Sequence, residues 1–360
     1  MSEPTGAARW VGTALPLKED IRLVAGRGRF IDDLGRSGQL HAAILRSPHA
    51  HARIVSIDTR AAAALPGVAA VLAGEETARL SGPIRALIPT TAAVLDYCLA
   101  VDRARYVGEP VAAVAAVDRA TAEDALELIR IEYDPLPAVV DPEEALKPGA
   151  TLLYPELGTN VVWHDTLTYG DVDGAMARAD GVLRERFTIQ RYASTPLETF
   201  GVVAAYDRGV DSFEFWTNDQ RPGLTISILA ASLGVPQSRI RLSCPDIGGG
   251  FGNKRRPAYL LICALLARKA GRPVKWIEDR IENLTALMHA ANGVMDVELA
   301  YQEDGTLLAL SVRDVTDEGK NLVTPSQHNL IKLGNIANGY RIPAIRYEAW
   351  SVLTTKCPSG

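Results

Sequence analysis

The residues best suited to chemistry lie in one short run, Asp246-Ile247-Gly248-Gly249-Gly250-Phe251-Gly252-Asn253-Lys254. Its glycines admit backbone conformations closed to other residues and let a ligand approach the main chain. The run follows an expected strand, Ile240 to Ser243, and precedes an expected helix that opens at Pro257. Free N–H groups placed before a helix start can hold an anion. Three familiar loops do not fit. The dinucleotide fingerprint GxGxxG is not completed, because Lys254 stands where a later glycine is needed. Lys254 precedes Arg255 rather than Ser or Thr, so the run is not a Walker loop. A kinase glycine loop belongs in a hairpin, not before a helix. The residues alone leave two readings open, a ligand loop and a tight structural turn. Phe251 divides the same way, between a site aromatic and a core aromatic, and Lys254 reads as a solvated side chain.

Other candidates are weaker. His49 and His51 have HxH spacing, which on a strand faces one side and can bind a metal. Glu198, in Ser194 to Thr199 (STPLET), has the chemistry of a general base. Cys98, Cys244, Cys263 and Cys357 include no CxxC pair, so neither zinc nor an iron–sulfur cluster is suggested, and free buried thiols are expected.

These residues must be positioned by ordinary elements. Short apolar runs at His41 to Leu45, Ile54 to Asp58 and Val111 to Val117 predict strands. A helix follows Asp118, with Asp118 or Thr121 as its cap. Ile131 to Tyr133 is a short strand, and the proline-bearing segment Leu136 to Tyr154 reads as a linker. Beyond it, helices are expected over Pro222 to Leu233, ending at Gly234, and over Pro257 to Ala270, ending at Gly271. The alternation through Val297, Leu299 and Tyr301, the turn Gln302 to Gly305 and the run Leu307 to Val315 predict a hairpin. Tyr347 to Leu353 reads as a last strand.

The 360 residues suffice for two domains with real cores. Thirty-eight basic against 43 acidic residues give a net charge of −5, which argues against a nucleic-acid binder. The longest apolar run, Leu260 to Ala267, is far too short to span a bilayer, which needs about 20 residues. The first twelve residues show no basic start followed by an apolar stretch, so a cytoplasmic protein without a signal peptide is expected.

At the glycine loop the sequence resembles the molybdopterin-binding large subunits of the xanthine dehydrogenase and aldehyde oxidase family of molybdenum hydroxylases. It is most similar to the branch containing aerobic carbon monoxide dehydrogenase large subunits. GRGRFIDDL (Gly26 to Leu34), LRSPHAHARIVSID (Leu45 to Asp58) and the stretch Val107 to Asp141 resemble the family's N-terminal hammerhead domain. STPLET, the strand containing WTNDQ, and PVKWIEDRIEN (Pro273 to Asn283) resemble the molybdenum-binding region that follows. The resemblance implies an α+β chain: a hammerhead-type α/β domain over residues 1–148, then the first, incomplete part of a molybdopterin-binding α+β domain over residues 149–360.

What it implies for the site is short. Gln220, 31 positions before Phe251, matches the glutamine near the metal's apical oxo ligand; a neutral amide can donate there without adding charge. Gly249, Gly250, Phe251 and Gly252 match the loop beside the molybdenum and the pterin, with Gln220 and Phe251 as catalytic-site residues. Arg255 departs from xanthine-oxidising relatives, which carry a purine-contacting glutamate there. The HxH stretch becomes scaffold, and Glu198 is not the family's catalytic carboxylate. The implied cofactor is molybdenum–molybdopterin in the cytosine dinucleotide form, with Fe–S clusters and FAD on partner subunits. The implied assembly is a dimer of heterotrimers containing an Fe–S small subunit and a FAD medium subunit. Family large subunits are about twice this length. The catalytic glutamate and any copper-binding loop are therefore expected beyond residue 360, in the rest of a longer chain or in a second chain. The implied reaction oxidises an aldehyde, N-heterocycle or carbon monoxide with water-derived oxygen, and this chain alone is expected to be inactive. The alternative is a catalytically inactive structural or assembly subunit.

Overall fold

The computed structural model describes residues 12–85, 96–320, 323–324 and 327–360. The expectation about a signal peptide therefore falls mainly on residues outside the described ones. The first six strands are β1 (Leu40–Arg46), β2 (Ala52–Asp58), β3 (Val68–Ala73), β4 (Arg103–Ala104), β5 (Pro110–Ala116) and β6 (Arg130–Pro135). Then come β7 (Val161–Tyr169), β8 (Gly181–Ile189), β9 (Gly201–Asp207), β10 (Ser212–Thr217), β11 (Ile240–Ser243) and β12 (Val274–Ile277). The last are β13 (Asn292–Tyr301), β14 (Leu307–Gly319) and β15 (Ile345–Leu353). The α+β class expected from the sequence is the one observed.

Three sheets organise these strands. The largest has the order β11-β10-β9-β12-β1-β5-β3. Its seam is the parallel pairing of β1 with β12, Leu40 opposite Val274, so early and late chain segments share one sheet. Strand β5 reads PVAAVAA and is buried along its whole length, as a strand covered on both faces must be. One face carries the helix Arg119–Glu127, whose Ala122 and Ala125 pack on Ala112, Val114 and Ala116. Asp118 is its cap, accepting from the Thr121 N–H at 2.8 Å. The other face carries the Pro257–Ala270 helix. Tyr259 through Ala267 are at most 1% exposed, because this helix is apolar on every side and must be enclosed. It packs with Phe200, Val202, Phe213, Phe215 and Trp276 in the main core.

The second sheet has the order β7-β15-β14-β13-β8. The expected hairpin is its centre, with Leu299 opposite Leu310 and Gly305 at φ +85° in the turn. A small third sheet has the order β4-β2-β6. The segment read as a linker is more ordered than its prolines suggested. Pro142–Leu146 is a helical turn, capped by Asp141 through the Glu143 N–H at 2.8 Å. Proline at the first helical position starts a helix rather than breaking it. Leu153 and Tyr154 are fully buried against Leu353. Cys98, Cys263 and Cys357 are buried free thiols, whereas Cys244, expected to be buried, is exposed. Among the described residues no helix is long and apolar enough to cross a membrane.

Candidate functional site

Strands β10 and β11 run parallel as neighbours, with Phe213 opposite Ile240 and Trp216 opposite Ser243. Their carboxyl ends therefore lie side by side, and ligands favour the crevice beyond such ends. The chain leaving β10 carries Gln220, and the chain leaving β11 carries the glycine run. The two are joined by three hydrogen bonds. The Gln220 backbone N–H donates to the Lys254 carbonyl at 2.9 Å. Its side-chain Oε1 accepts from the Gly252 N–H at 3.0 Å and the Lys254 N–H at 3.2 Å. The carbonyl end of this amide is thus committed to the loop. The Nε2 donor has no hydrogen-bond partner among the described residues, and the side chain is exposed.

Glycine is required where these parts meet. A Cβ on Gly250 would lie 2.4 Å from the Gln220 Cδ, well inside contact distance. Gly249 and Gly252 have φ of +91° and +93°. Phe251 itself sits at φ +50° and is 73% exposed. It is not a core aromatic; its ring packs over Gly249, where a Cβ would come within 2.9 Å of it. A strained backbone that presents a bare aromatic to solvent is the kind of outlier that marks a working site. The structure thus brings Gln220, Gly249, Gly250, Phe251 and Gly252 into one patch.

The patch is braced from behind by Glu198. Its Oε2 accepts from the Gly248 N–H at 2.7 Å and from the Lys254 ammonium at 2.9 Å, and its Oε1 from the Ile31 N–H at 3.2 Å. A carboxylate so fully engaged is an anchor, not a free base. Lys254, expected to be solvated, is instead 0% exposed. Burial pulls its pKa down, and Glu198 opposes that fall. Glu278 lies near this pair and is also buried. Desolvation raises its pKa to about 7, although the Asn283 amide and the Phe200 N–H bond its Oε2. A second brace holds the start of the run: Asp246 takes a two-pronged contact from Arg22 at 2.6 and 2.7 Å and the Arg29 N–H at 2.7 Å. The Arg22 bonds hold its carboxyl far below the usual range. Neither brace was legible in the sequence, because their partners are 50 or more residues apart.

The histidine pair is scaffold. His51 is buried and donates through Nδ1 to the Pro137 carbonyl at 2.7 Å, while His49 packs edge-on against Tyr133. No cluster of three or more potential metal ligands is found among the described residues. Arg255 borders the glycine run, with Nε donating to the Gly252 carbonyl at 2.7 Å. Burial and the neighbouring Arg221 charge lower its pKa to about 10.

These residues fit a molybdopterin group. The Nε2 donor without a partner among the described residues, the close-packed glycine backbone and the exposed Phe251 ring lie next to one another beyond the strand ends, and the neighbouring Glu198 and Asp246 carboxylates are engaged within the protein. Comparison with known proteins points the same way. Residues 153–360 match the molybdopterin cofactor-binding domain model, and residues 25–137 match the aldehyde oxidase and xanthine dehydrogenase a/b hammerhead domain model. The chain is 37% identical to the gamma subunit of the 6-hydroxypseudooxynicotine dehydrogenase complex of Paenarthrobacter nicotinovorans, over 98% of this chain and 45% of that protein. It is 36% identical to the carbon monoxide dehydrogenase large chain of Hydrogenophaga pseudoflava, over 95% of this chain and 44% of that one. The crystal structure of quinoline 2-oxidoreductase from Pseudomonas putida 86 superposes with a TM-score of 0.90 at 40% identity, covering 97% of this chain and 45% of that chain. The chain therefore spans less than half the length of these relatives. It belongs to the xanthine dehydrogenase and aldehyde oxidase family of molybdenum hydroxylases, as a hammerhead domain followed by a molybdopterin-binding domain.

Proposed function

We propose that this chain supplies one half of a molybdenum-hydroxylase active site, in an enzyme that oxidises an aldehyde, an N-heterocycle or carbon monoxide with water-derived oxygen. The observation that carries the reading is the Gln220 amide. Its acceptor end is locked to the glycine loop, and its donor end has no hydrogen-bond partner among the described residues. When bound, the molybdenum–molybdopterin group, in its cytosine dinucleotide form, supplies the two-electron redox chemistry.

This chain's own residues do the positioning. Gln220 Nε2 donates a hydrogen bond to the cofactor or the substrate without adding charge. The Gly249 to Gly252 backbone gives close approach. Phe251 provides an apolar wall that keeps water from the reacting carbon. Glu198 and Lys254 hold the loop so that little reorganisation is needed when the cofactor docks. The catalytic base comes from the polypeptide matching the relatives' remaining length. Electrons leave through an Fe–S small subunit and a FAD medium subunit, in a dimer of heterotrimers.

The test is to produce this chain together with that remaining polypeptide and the two partner subunits. Metal analysis of the purified assembly should find about one molybdenum per copy of this chain, and Gln220→Ala should lower turnover at least tenfold while the metal stays. An assembly that forms without molybdenum and turns over no substrate would point instead to a structural or assembly subunit.

A further inference from the structure

One buried carboxyl near the Glu198–Lys254 pair takes no part in the patch. Glu278 follows β12 and is 2% exposed. Pairing with the chain before β9 fixes its backbone. Its N–H donates to the Phe200 carbonyl at 2.9 Å, and its carbonyl accepts the Thr199 hydroxyl at 2.7 Å. Its Oε2 accepts from the Phe200 N–H at 3.1 Å and the Asn283 amide at 2.7 Å. Its Oε1 is buried and has no partner among the described residues. Glu198 stands two residues before Phe200, so both carboxyls belong to one stretch of packed chain.

Lys254 shows the complementary shortage. Its ammonium is 0% exposed and carries three donors. Among the described residues it makes one hydrogen bond, to Glu198 Oε2 at 2.9 Å. The remaining donors are unspent inside the protein, where unmade hydrogen bonds are costly. Glu198 and Glu278 both act on this charge, yet the ammonium is paired with Glu198 alone. The other charges around Glu278 do not fill the gap. From β1, Arg46 favours its ionised form but gives its ion pair to Glu282, at 2.8 Å. From the Arg280–Thr285 helix, Glu282 opposes a second negative charge. Asp279 caps that helix through the Glu282 N–H at 2.7 Å. Arg280 spends its donors on Asn283 Oδ1 and on the Pro196 and Leu197 carbonyls, each at 2.9 Å. A carboxyl buried without a counter-ion of its own holds its proton.

We propose that Glu278 and Lys254 form a proton-controlled latch on the glycine loop, with Glu278 as a positioning residue. With the proton on Glu278, Lys254 bonds Glu198, as in the structure. When the Glu278 O–H bond breaks and the proton passes to solvent, the ammonium turns to the ionised Oε1. Glu198 then loses one partner while it braces the Gly248 N–H. Lys254 also bonds Gln220 through its own N–H and carbonyl, so the shift reaches the amide of the patch. The latch stands without the molybdenum-hydroxylase reading, whereas its effect on turnover rests on that reading.

The experiment is amide hydrogen exchange over Gly248 to Lys254 in the assembled enzyme, parent against Glu278→Gln, at pH 5.5 and pH 8.5. Comparing the two proteins at one pH removes the intrinsic pH dependence of exchange, and glutamine keeps the neutral form throughout. Exchange should be equal at pH 5.5 and at least fivefold faster in the parent at pH 8.5. Adding Lys254→Met to both should abolish that difference. Equal exchange at pH 8.5, or a difference that survives Lys254→Met, overturns the latch. Infrared spectroscopy of the parent alone covers the case of a variant that fails to fold. A carboxylic-acid carbonyl band present at pH 5.5 should vanish by pH 8.5; its absence at the lower pH, or its persistence at the higher, overturns the proposal. In turnover the parent should lose kcat above neutral pH at unchanged KM, and Glu278→Gln should not. A flat parental kcat with the exchange difference intact sinks the effect on turnover alone. An assembly without molybdenum that keeps the exchange difference sinks the hydroxylase reading alone.

Discussion

Gln220 and Gly250 form the tightest junction of the patch, and each can be tested against the other. Gly250→Ala places a methyl 2.4 Å from the Gln220 side chain, so the loop or the glutamine must move. Overpacking of this kind costs about 1–3 kcal/mol. The variant should be destabilised by that amount in urea unfolding, and adding Gln220→Ala should recover part of it. Strict additivity of the two changes would mean that they do not meet. The buried pair behind the loop should respond asymmetrically. Glu198→Gln strands the ammonium of Lys254, at 0% exposure, and should cost about 3–5 kcal/mol. Lys254→Met leaves the carboxylate two backbone N–H partners and should cost less; the reverse order would refute the anchoring role. Glu278 adds a pH dependence. Its folded pKa of about 7 lies above the ordinary 4.5, so the folded state binds more protons between those values. Its contribution to stability should be greatest below pH 4.5, fall as the pH rises to about 7 and level off above it, by up to about 3 kcal/mol. Glu278→Gln should flatten that slope in unfolding measured across pH 5 to 8.

At the scale of elements, the glycine run was legible because glycines before a helix have few uses. The helices Pro222–Leu233 and Pro257–Ala270 were legible from proline starts and glycine stops, and both stops adopt the left-handed conformation, Gly234 at φ +70° and Gly271 at φ +64°. What local patterns could not reveal were partners distant in sequence. Lys254 reads as a surface lysine until β-strand packing folds Glu198 over it. Gln220 reads as surface polarity, and only the family spacing singled it out. The Pro142–Leu146 turn is hidden in the sequence because three prolines between Leu136 and Tyr154 signal a linker as readily as a helix start. The enclosed Pro257–Ala270 helix is the element on which the patch rests. Leu265→Ala, at a fully buried position, should cost about 2–5 kcal/mol, read as a lower urea midpoint at unchanged m-value.

At the scale of the whole molecule, the early and late segments are joined rather than strung together. The β1–β12 seam makes one sheet of both. A second tie runs from the former linker to the end of the described chain. Thr355 Oγ1 accepts the Val139 N–H at 3.1 Å and donates to the Val139 carbonyl at 2.9 Å, while the Thr355 N–H reaches the same carbonyl at 2.8 Å. The chain nevertheless spans only about 45% of its relatives, so the proposed role of Gln220 is tested in the assembled enzyme. The most direct measurement is the molybdenum(V) electron paramagnetic resonance spectrum, with turnover, of the assembled enzyme carrying Gln220→Glu. Glutamate keeps an acceptor oxygen for the loop, replaces the donor with a second acceptor oxygen and adds a negative charge. The account predicts full molybdenum content, an altered spectrum and at least a tenfold loss of turnover. An unchanged spectrum with parental turnover would contradict it, because the donor end of Gln220 would then face neither the metal nor the substrate.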